Sequence, residues 1–323
     1  MKRRHVLPAL AAVALPVGPL LAQQRRPRIG MLSTIAPNPQ DPLVRALVDG
    51  LREHGLIDGQ TASFEIRWAS GRVDALPALA AELAALPVDV IVTGNNFVTA
   101  AAKSATSTIP IVMVLGADPV RNGFIDSFAR PGRNITGLTN EPGQQIHGKM
   151  LELLKEAAPQ TERVAVLVQA SVGYDRAQLT DAAQQLRLRL LWVPEVRQAS
   201  DLDAAFDAMR RDGAQAYLCV GGSIIYAARA QVAALALQHR LPGIHFSADY
   251  VRAGGLLSYG TDLVAQWRRA GWYVARIVAG ARPAELPVEQ PARFETAINL
   301  RTAGTLGLKL PQTLLLRADL VIE

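Results

Sequence analysis

The chain has 323 residues, of which half are hydrophobic and 19% are charged, with a formal net charge of +6. This length allows two domains of ordinary size, and the composition excludes a disordered or fibrous chain. Three of the positive charges lie at residues 2–4, in a segment with the form of a signal peptide, so the rest of the chain carries 6 − 3 = +3, interspersed with acidic residues. We therefore expect a mildly basic surface and no nucleic-acid partner.

The N-terminal segment has the three parts of a secretory signal peptide. Basic residues at 2–4 precede an apolar run over 6–21, and Ala22 is a small residue at the cleavage position. The run is interrupted by prolines and is shorter than the roughly 20 residues of a membrane span, which argues against a membrane anchor. We predict a signal peptide over 1–22, cleaved at about Ala22, and a periplasmic protein. The paired Arg3 and Arg4 leave general and twin-arginine export open.

From residue 28 onward, short β-rich runs alternate with longer segments at helical spacing, which predicts parallel sheets covered by helices. In the first half, strands are predicted at 28–32, 63–68, 88–92, 109–114 and 134–138, and helices at 42–54, 73–86 and 96–105. In the second half, strands are predicted at 163–168, 190–193, 216–220 and 243–246, and helices at 143–157, 175–188, 201–211 and 224–239. A helix at 263–278 and a run at 294–300 follow. The repeated alternation predicts two similar α/β lobes.

Polar loops follow six of these strands, and ligands of open parallel sheets gather beyond the carboxyl ends of the strands. Each loop could instead only cap the helix behind it: both interpretations stay open for 93–96, and capping is the favoured role of Asp118. The candidate ligand-binding residues are Ser33, Thr34, Gly94, Asn95, Asn96, Asp118, Thr139, Ser171, Gly222, Ser223, Ser247 and Tyr259.

Sequence signatures of catalysis are missing. The chain has no Walker loop, no Gly-x-Gly-x-x-Gly fingerprint and no Gly-x-Ser-x-Gly elbow, and its five histidines form no pair at metal-ligand spacing. The single cysteine, Cys219, lies in an apolar run, which predicts a packed core thiol, and no cysteine follows the cleavage site to carry a lipid. We expect no cofactor, no metal, no catalytic residue and no lipoprotein anchor.

Several motifs occur in a characteristic order along almost the whole chain. They are Arg28-Ile29-Gly30, the helix 75–83, the strand 88–92, Asp118-Pro119-Val120, and the segments 130–137, 151–155, 253–260, 286–291 and 298–300. In this order the sequence resembles the ABC transporter substrate-binding family that includes tryptophan and tyrosine binders.

The resemblance implies a type I periplasmic-binding-protein fold, in which two doubly wound parallel-sheet lobes are joined by a three-strand hinge with crossovers near 139, 256 and 288. The N-terminal lobe would comprise 28–139 plus about 257–287, and the C-terminal lobe 140–256 plus about 288–323. The loops at 93–96 and Asp118 would form one wall of the cleft, and Ser171 with 222–223 the other.

The sequence departs from the family pattern at two positions. Asn95 and Asn96 stand where small residues are usual, and 221–223 is Gly-Gly-Ser where an acidic residue is frequent. A ligand ammonium group therefore has no obvious counter-charge in the second of these loops.

These features together predict a monomeric extracytoplasmic binding protein of an ABC importer. It would capture a small polar ligand by hinge closure and then dock on an ABC permease in the inner membrane. Amino acids, aromatic or branched ones first, and related organic acids are the candidate ligands. Two alternatives use the same cleft: an exported α/β enzyme, which needs a nucleophile and a base within hydrogen-bond reach, and a stand-alone ligand sensor. A transcriptional regulator is disfavoured because a signal peptide stands in place of a helix-turn-helix.

Overall fold

The computed structural model describes residues 25–140, 145–170, 172, 174–291 and 293–323. The predicted signal peptide and its cleavage site at Ala22 lie outside these residues. Within them, none of the helices combines the length and the apolar character that crossing a bilayer requires.

The first lobe is built on a parallel sheet with the strand order β2-β1-β3-β4-β5. Its strands are β1 Arg28–Ser33, β2 Ser63–Trp68, β3 Val90–Thr93, β4 Ile111–Gly116 and β5 Ile135–Thr139. Its first helices are α1 Pro42–Glu53, α2 Leu76–Ala85 and α3 Asn96–Ala105. The central strands β3 and β4 are almost fully buried, as expected for a parallel sheet covered on both faces.

The second lobe contains a larger sheet with the order β12-β11-β10-β9-β8-β6-β7. Its first strands are β6 Arg163–Val168, β7 Arg189–Trp192, β8 Ala216–Gly221, β9 Gly243–His245 and β10 Leu257–Gly260. Its first helices are α4 Gln145–Ala157, α5 Arg176–Gln185, α6 Asp201–Arg211, α7 Ser223–Ala227, α8 Arg229–Gln238 and α9 Ala248–Arg252. The chain ends with α10 Leu263–Val278, β11 Glu295–Asn299, α11 Leu300–Thr305, α12 Gln312–Leu316 and β12 Leu320–Ile322.

The helix α10 returns to the first lobe and packs against α1. The two helices cross at glycines: a Cβ atom at Gly50 would lie 2.0 Å from the carbonyl oxygen of Arg268, and one at Gly271 would lie 2.3 Å from the carbonyl carbon of Gly50. The absence of side chains at this crossing therefore lets the two backbones touch. This contact fixes α10 beside the carboxyl edge of the first sheet, where Leu263 and Trp267 face the space between the lobes.

The chain passes between the lobes at three places, between β5 and α4, between β10 and α10, and between residue 289 and β11. The third passage runs beside β5, because Glu289 donates its N–H to Gly137 and accepts the N–H of Thr139 at 3.0 and 2.9 Å. The strand β10 was predicted to open the returning part of the first lobe, but it pairs with β9 through Leu257 and Ile244. The second passage consequently follows Gly260, a few residues after the position expected for it.

The predicted elements differ from the observed ones mainly in the tail. The helix predicted over 224–239 is interrupted at Ala228 and forms α7 and α8. The short elements α9, α11, α12 and β12 were not predicted, since segments of three to six residues give too little periodicity to identify a helix or a strand. Cys219 is fully buried in β8, and burial raises the pKa of its thiol to about 12, so it is a packed core thiol as predicted.

Candidate ligand-binding cleft

A cavity of about 200 Å³ lies between the two lobes at the carboxyl ends of β1, β3, β4, β6, β8 and β9. The loops behind these strands point into it, as the position of sites in open parallel sheets predicts. Lining residues of the first lobe include Ser33, Thr34, Asp41, Gly94, Asn95, Asn96, Phe97 and Trp267. Those of the second lobe include His147, Gln169, Gly222, Ser223, Tyr226 and Phe246.

The two lobes touch each other at one edge of the cavity. The hydroxyl group of Thr34 donates to Oγ of Ser223 at 2.8 Å, and Asn95 donates through Nδ2 to Oγ1 of Thr34 at 3.4 Å. Oδ1 of Asn95 accepts the N–H of Val98 and caps α3. A chain of three side chains therefore connects the start of α3 in the first lobe with the start of α7 in the second.

Asn96 fastens two loops of the first lobe together. Its Nδ2 donates to the carbonyl oxygen of Ala117 at 2.8 Å, and its Oδ1 accepts the N–H of Ala117 at 2.9 Å. Both ends of the amide are thus occupied by the backbone that follows β4. Asn96 contributes to the cavity wall mainly as a clamp between the loops after β3 and β4.

The glycines of the loop after β8 are required by a close approach. Gly221 and Gly222 have φ angles of 133° and 129°, a region that disfavours residues with a Cβ atom. A Cβ atom at Gly222 would also lie 2.4 Å from Cβ of Gln169. Gln169 accepts the N–H of Ile224 through Oε1 at 2.8 Å, which ties the loops after β6 and β8 together.

Aromatic and aliphatic side chains cover much of the cavity wall. Trp267 packs over Gly94, where an added Cβ atom would lie 2.8 Å from Cζ2 of the indole. Tyr226 and Phe246 contribute from the second lobe, together with Met150. Trp267 is 5% exposed, and its Nε1 has no hydrogen-bond partner among the described residues. These side chains therefore give the cleft a largely apolar surface.

Ionisable groups are few in the cavity wall. Burial lowers the pKa of His147 to about 4, against the opposing effect of a hydrogen bond with the backbone of Val220, so its imidazole is neutral at pH 7. The described lining contains Asp41 but no lysine or arginine. Burial raises the pKa of the Tyr226 phenol well above its usual range. The negative charges of Asp249 and Asp41 raise this pKa further, and the phenol hydroxyl group donates a hydrogen bond to Oδ2 of Asp249 at 2.6 Å.

Comparison with known proteins identifies the family of this chain. The sequence profile described as ABC transporter substrate binding protein matches residues 28–322. The chain belongs to this family. A curated relative, the tyrosine-binding protein of Clostridioides difficile (strain R20291), is 22% identical over 288 residues, which are 88% of this chain and 82% of the relative.

Solved structures show the same fold. A conserved domain protein of Vibrio cholerae O1 biovar El Tor superposes with a TM-score of 0.82 at 24% identity, over 92% of this chain and 100% of that one. The ABC domain of Streptococcus pneumoniae in complex with L-Trp gives 0.81 at 22% identity, with the same coverage of 92% and 100%. The predicted type I periplasmic-binding-protein fold with two lobes is confirmed. Proteins of this family bind small-molecule solutes for ABC transporters.

In this substrate-binding protein, seven of the predicted site residues line the cavity, namely Ser33, Thr34, Gly94, Asn95, Asn96, Gly222 and Ser223. Ser171 lies outside the described residues. The remaining four do not line it.

Each of these four has another role. Asp118 is exposed in a turn with φ of 44°. Thr139 is buried where β5 meets the third passage. Ser247 accepts the N–H of Asp249 and begins α9, and the Tyr259 ring stacks on Phe294 at 5.5 Å.

Several lining residues of the binding protein were missed in the sequence. Trp267 is not among the predicted site residues, because aromatic residues at such positions belong more often to a core. Asp41 carries the signal of a helix cap, because it directly precedes Pro42 and an apolar pattern. Only the packing of α1 against α10 shows that both residues also face the cleft. His147 carries no local signal that distinguishes it from a surface residue, whereas Gln169 follows β6 and begins one of the predicted polar loops.

Proposed function

We propose that this chain captures a small polar ligand in the cavity between its lobes and delivers it to an ABC permease in the inner membrane. The observation that carries the proposal is the cavity itself, which has apolar walls, polar loops from both lobes and a direct contact between the lobes at Thr34 and Ser223. Enclosed apolar sites with a few oriented polar groups are typical of small-molecule binding. The proposal includes export by the N-terminal segment and action as a monomer in the periplasm.

The ligand that fits best is an amino acid with an aromatic or branched side chain, followed by related organic acids. The indole ring of Trp267 and the rings of Tyr226 and Phe246 provide surfaces for an apolar or aromatic group. A related protein named for tyrosine binding and a solved relative holding L-Trp agree with this class.

Binding in this proposal involves closure and no chemistry. The three chain passages act as a hinge, and the ligand stabilises the closed arrangement because it contacts both walls only there. The hydrogen bond between Thr34 and Ser223 forms only while the lobes are together. The permease then binds the closed, ligand-loaded form.

A thermal-shift screen of the purified protein tests the ligand class. We expect tryptophan, tyrosine, phenylalanine, leucine or a simple aromatic acid to raise the melting temperature, since a ligand at 100 times its Kd stabilises the native state by about 2.7 kcal/mol. A panel without any shift would refute this ligand class. The variant Ser223→Ala should lower the shift, whereas Ser200→Ala should leave it unchanged, because Ser200 is exposed in the same lobe and its side chain caps no helix.

A further inference from the structure

We propose that the carboxylate of Asp41 is the counter-charge for a cationic ammonium group of the ligand, so that the cleft selects amino acids and amines over acids that lack an amine. This inference rests on the proposed function, since it specifies how the same cavity recognises its ligand. Asp41, in the first lobe, supplies the negative charge that the loop after β8 in the second lobe lacks.

The position of Asp41 makes its charge available to a ligand. The residue precedes α1, is 5% exposed and lines the cavity. Its Oδ1 accepts the N–H groups of Leu43 and Val44 at 2.9 and 3.3 Å. Its Oδ2 makes no hydrogen bond and no ion pair with any residue that the structure describes. A buried carboxylate with one unpaired oxygen is costly, and a cation placed beside it removes that cost.

The charge balance of the cavity favours a cation. Asp41 is the one formally charged side chain in the described lining, and the imidazole of His147 is neutral at pH 7. A carboxylic acid without an amine would therefore face a negative wall without a basic side chain. An amino acid avoids this conflict, because its ammonium group can pair with Asp41 while neutral polar side chains of the lining, such as Ser33, are available to its carboxylate.

The second lobe does not compete for this role. Asp249 is near the cavity, but its carboxylate accepts the Tyr226 hydroxyl at 2.6 Å and pairs with Arg252 at 3.0 Å, and it does not line the cavity. The Gly-Gly-Ser loop after β8 has no acid. The charge that the loop lacks is supplied from the opposite wall, by Asp41.

The variant Asp41→Asn tests the charge separately from the fold. Asparagine begins helices as well as aspartate does, so α1 should still form, while the negative charge is gone. We expect calorimetry to show roughly 10- to 100-fold weaker binding of L-tryptophan or L-tyrosine, the range expected for loss of a charge-assisted contact. The control Asp49→Asn removes one charge from the same helix outside the cavity and should bind as the wild type does. An unchanged affinity of Asp41→Asn would overturn the inference.

Matched ligands test the same point on the wild-type protein, even if the variant does not fold. L-tryptophan should bind, and indole-3-propionic acid, which lacks only the amine, should bind at least tenfold more weakly. Equal or tighter binding of the propionic acid would overturn the role of Asp41 while leaving the proposed binding function standing. Wild-type protein that binds no aromatic or branched amino acid, no tryptamine and no aromatic acid would refute the ligand class, and this inference with it.

Discussion

Two buried histidines are held in the neutral form by their surroundings. In His245, Nδ1 lies 3.0 Å from the carbonyl oxygen of Leu257, which can only accept, so Nδ1 carries the proton. Nε2 then accepts the hydroxyl group of Tyr217 at 2.7 Å. Burial lowers the pKa of both His245 and His147 to about 4, against the effect of their backbone hydrogen bonds. Protonation of either imidazole consequently opposes the folded state.

This arrangement predicts a loss of stability in mild acid. Both folded-state pKa values lie below the unfolded value of about 6.5, so the unfolded chain binds more protons as the pH falls from about 6.5 towards 4. The stabilisation that depends on neutral histidines is fully present above pH 6.5. As the pH falls from 6.5 to 5, we expect each histidine to lower the free energy of unfolding by about 1–2 kcal/mol. Urea titrations of the ligand-free protein at several pH values measure it.

Variants separate this effect from the titration of carboxylates. His147→Gln should remove about half of the histidine contribution, and His54→Gln should leave the pH dependence unchanged, because His54 is exposed at the end of α1. A pH dependence that is the same in His147→Gln and in the wild type would contradict the prediction.

At the scale of elements, the crossing of α1 and α10 determines one wall of the cleft. The approach of Gly50 and Gly271 brings the helix that carries Trp267 next to the helix that Asp41 begins. Their contact therefore links packing in the first lobe directly to the geometry of binding.

Gly271→Ala tests this link. The added methyl group would lie 2.3 Å from the carbonyl carbon of Gly50, so the helices must separate, and we expect a loss of about 1–3 kcal/mol in the free energy of unfolding. Ligand affinity should fall as well. The matched control is Gly304→Ala in α11, where no atom lies within 4 Å of the added Cβ and the change should be neutral or slightly stabilising. Equal stability of both variants would refute the prediction.

Most elements were predictable from the sequence because the alternation of strands and helices is regular. The bounds of β2, α3, β6, α6 and α10 agree with the predicted ones residue for residue. The assignment of β10 to a lobe failed because a strand of four residues carries no information about its partner. The loops of the candidate site were predictable from their place after strands, whereas Asp41, His147 and Trp267 depend on tertiary packing and were not.

At the scale of the whole molecule, the Thr34 and Ser223 contact offers a way to lock the lobes together. Their hydroxyl oxygens lie 2.8 Å apart, so sulfur atoms in their place would be close enough to bond after a small movement. The natural Cys219 is fully buried and does not interfere. We expect the double variant Thr34→Cys with Ser223→Cys to cross-link when oxidised and to exchange its ligand much more slowly, with reduction restoring exchange.

The measurement is the release rate of a bound fluorescent or radiolabelled ligand with and without reductant. The single variant Thr34→Cys controls for oxidation itself, and its release rate should be the same with and without the oxidant. Equal release rates in the cross-linked and reduced double variant would show that ligand exchange does not require the lobes to separate.

The packing of α1 against α10 also affects the order in which the first lobe is completed during synthesis of the chain. Most of the second lobe lies between these helices in the sequence, from α4 to β10. A nascent chain therefore cannot cover the α10-facing side of α1 until the ribosome has produced residues 263–278. The first lobe is begun early and completed late, so this side of α1 stays uncovered while the whole second-lobe segment from α4 to β10 is synthesised.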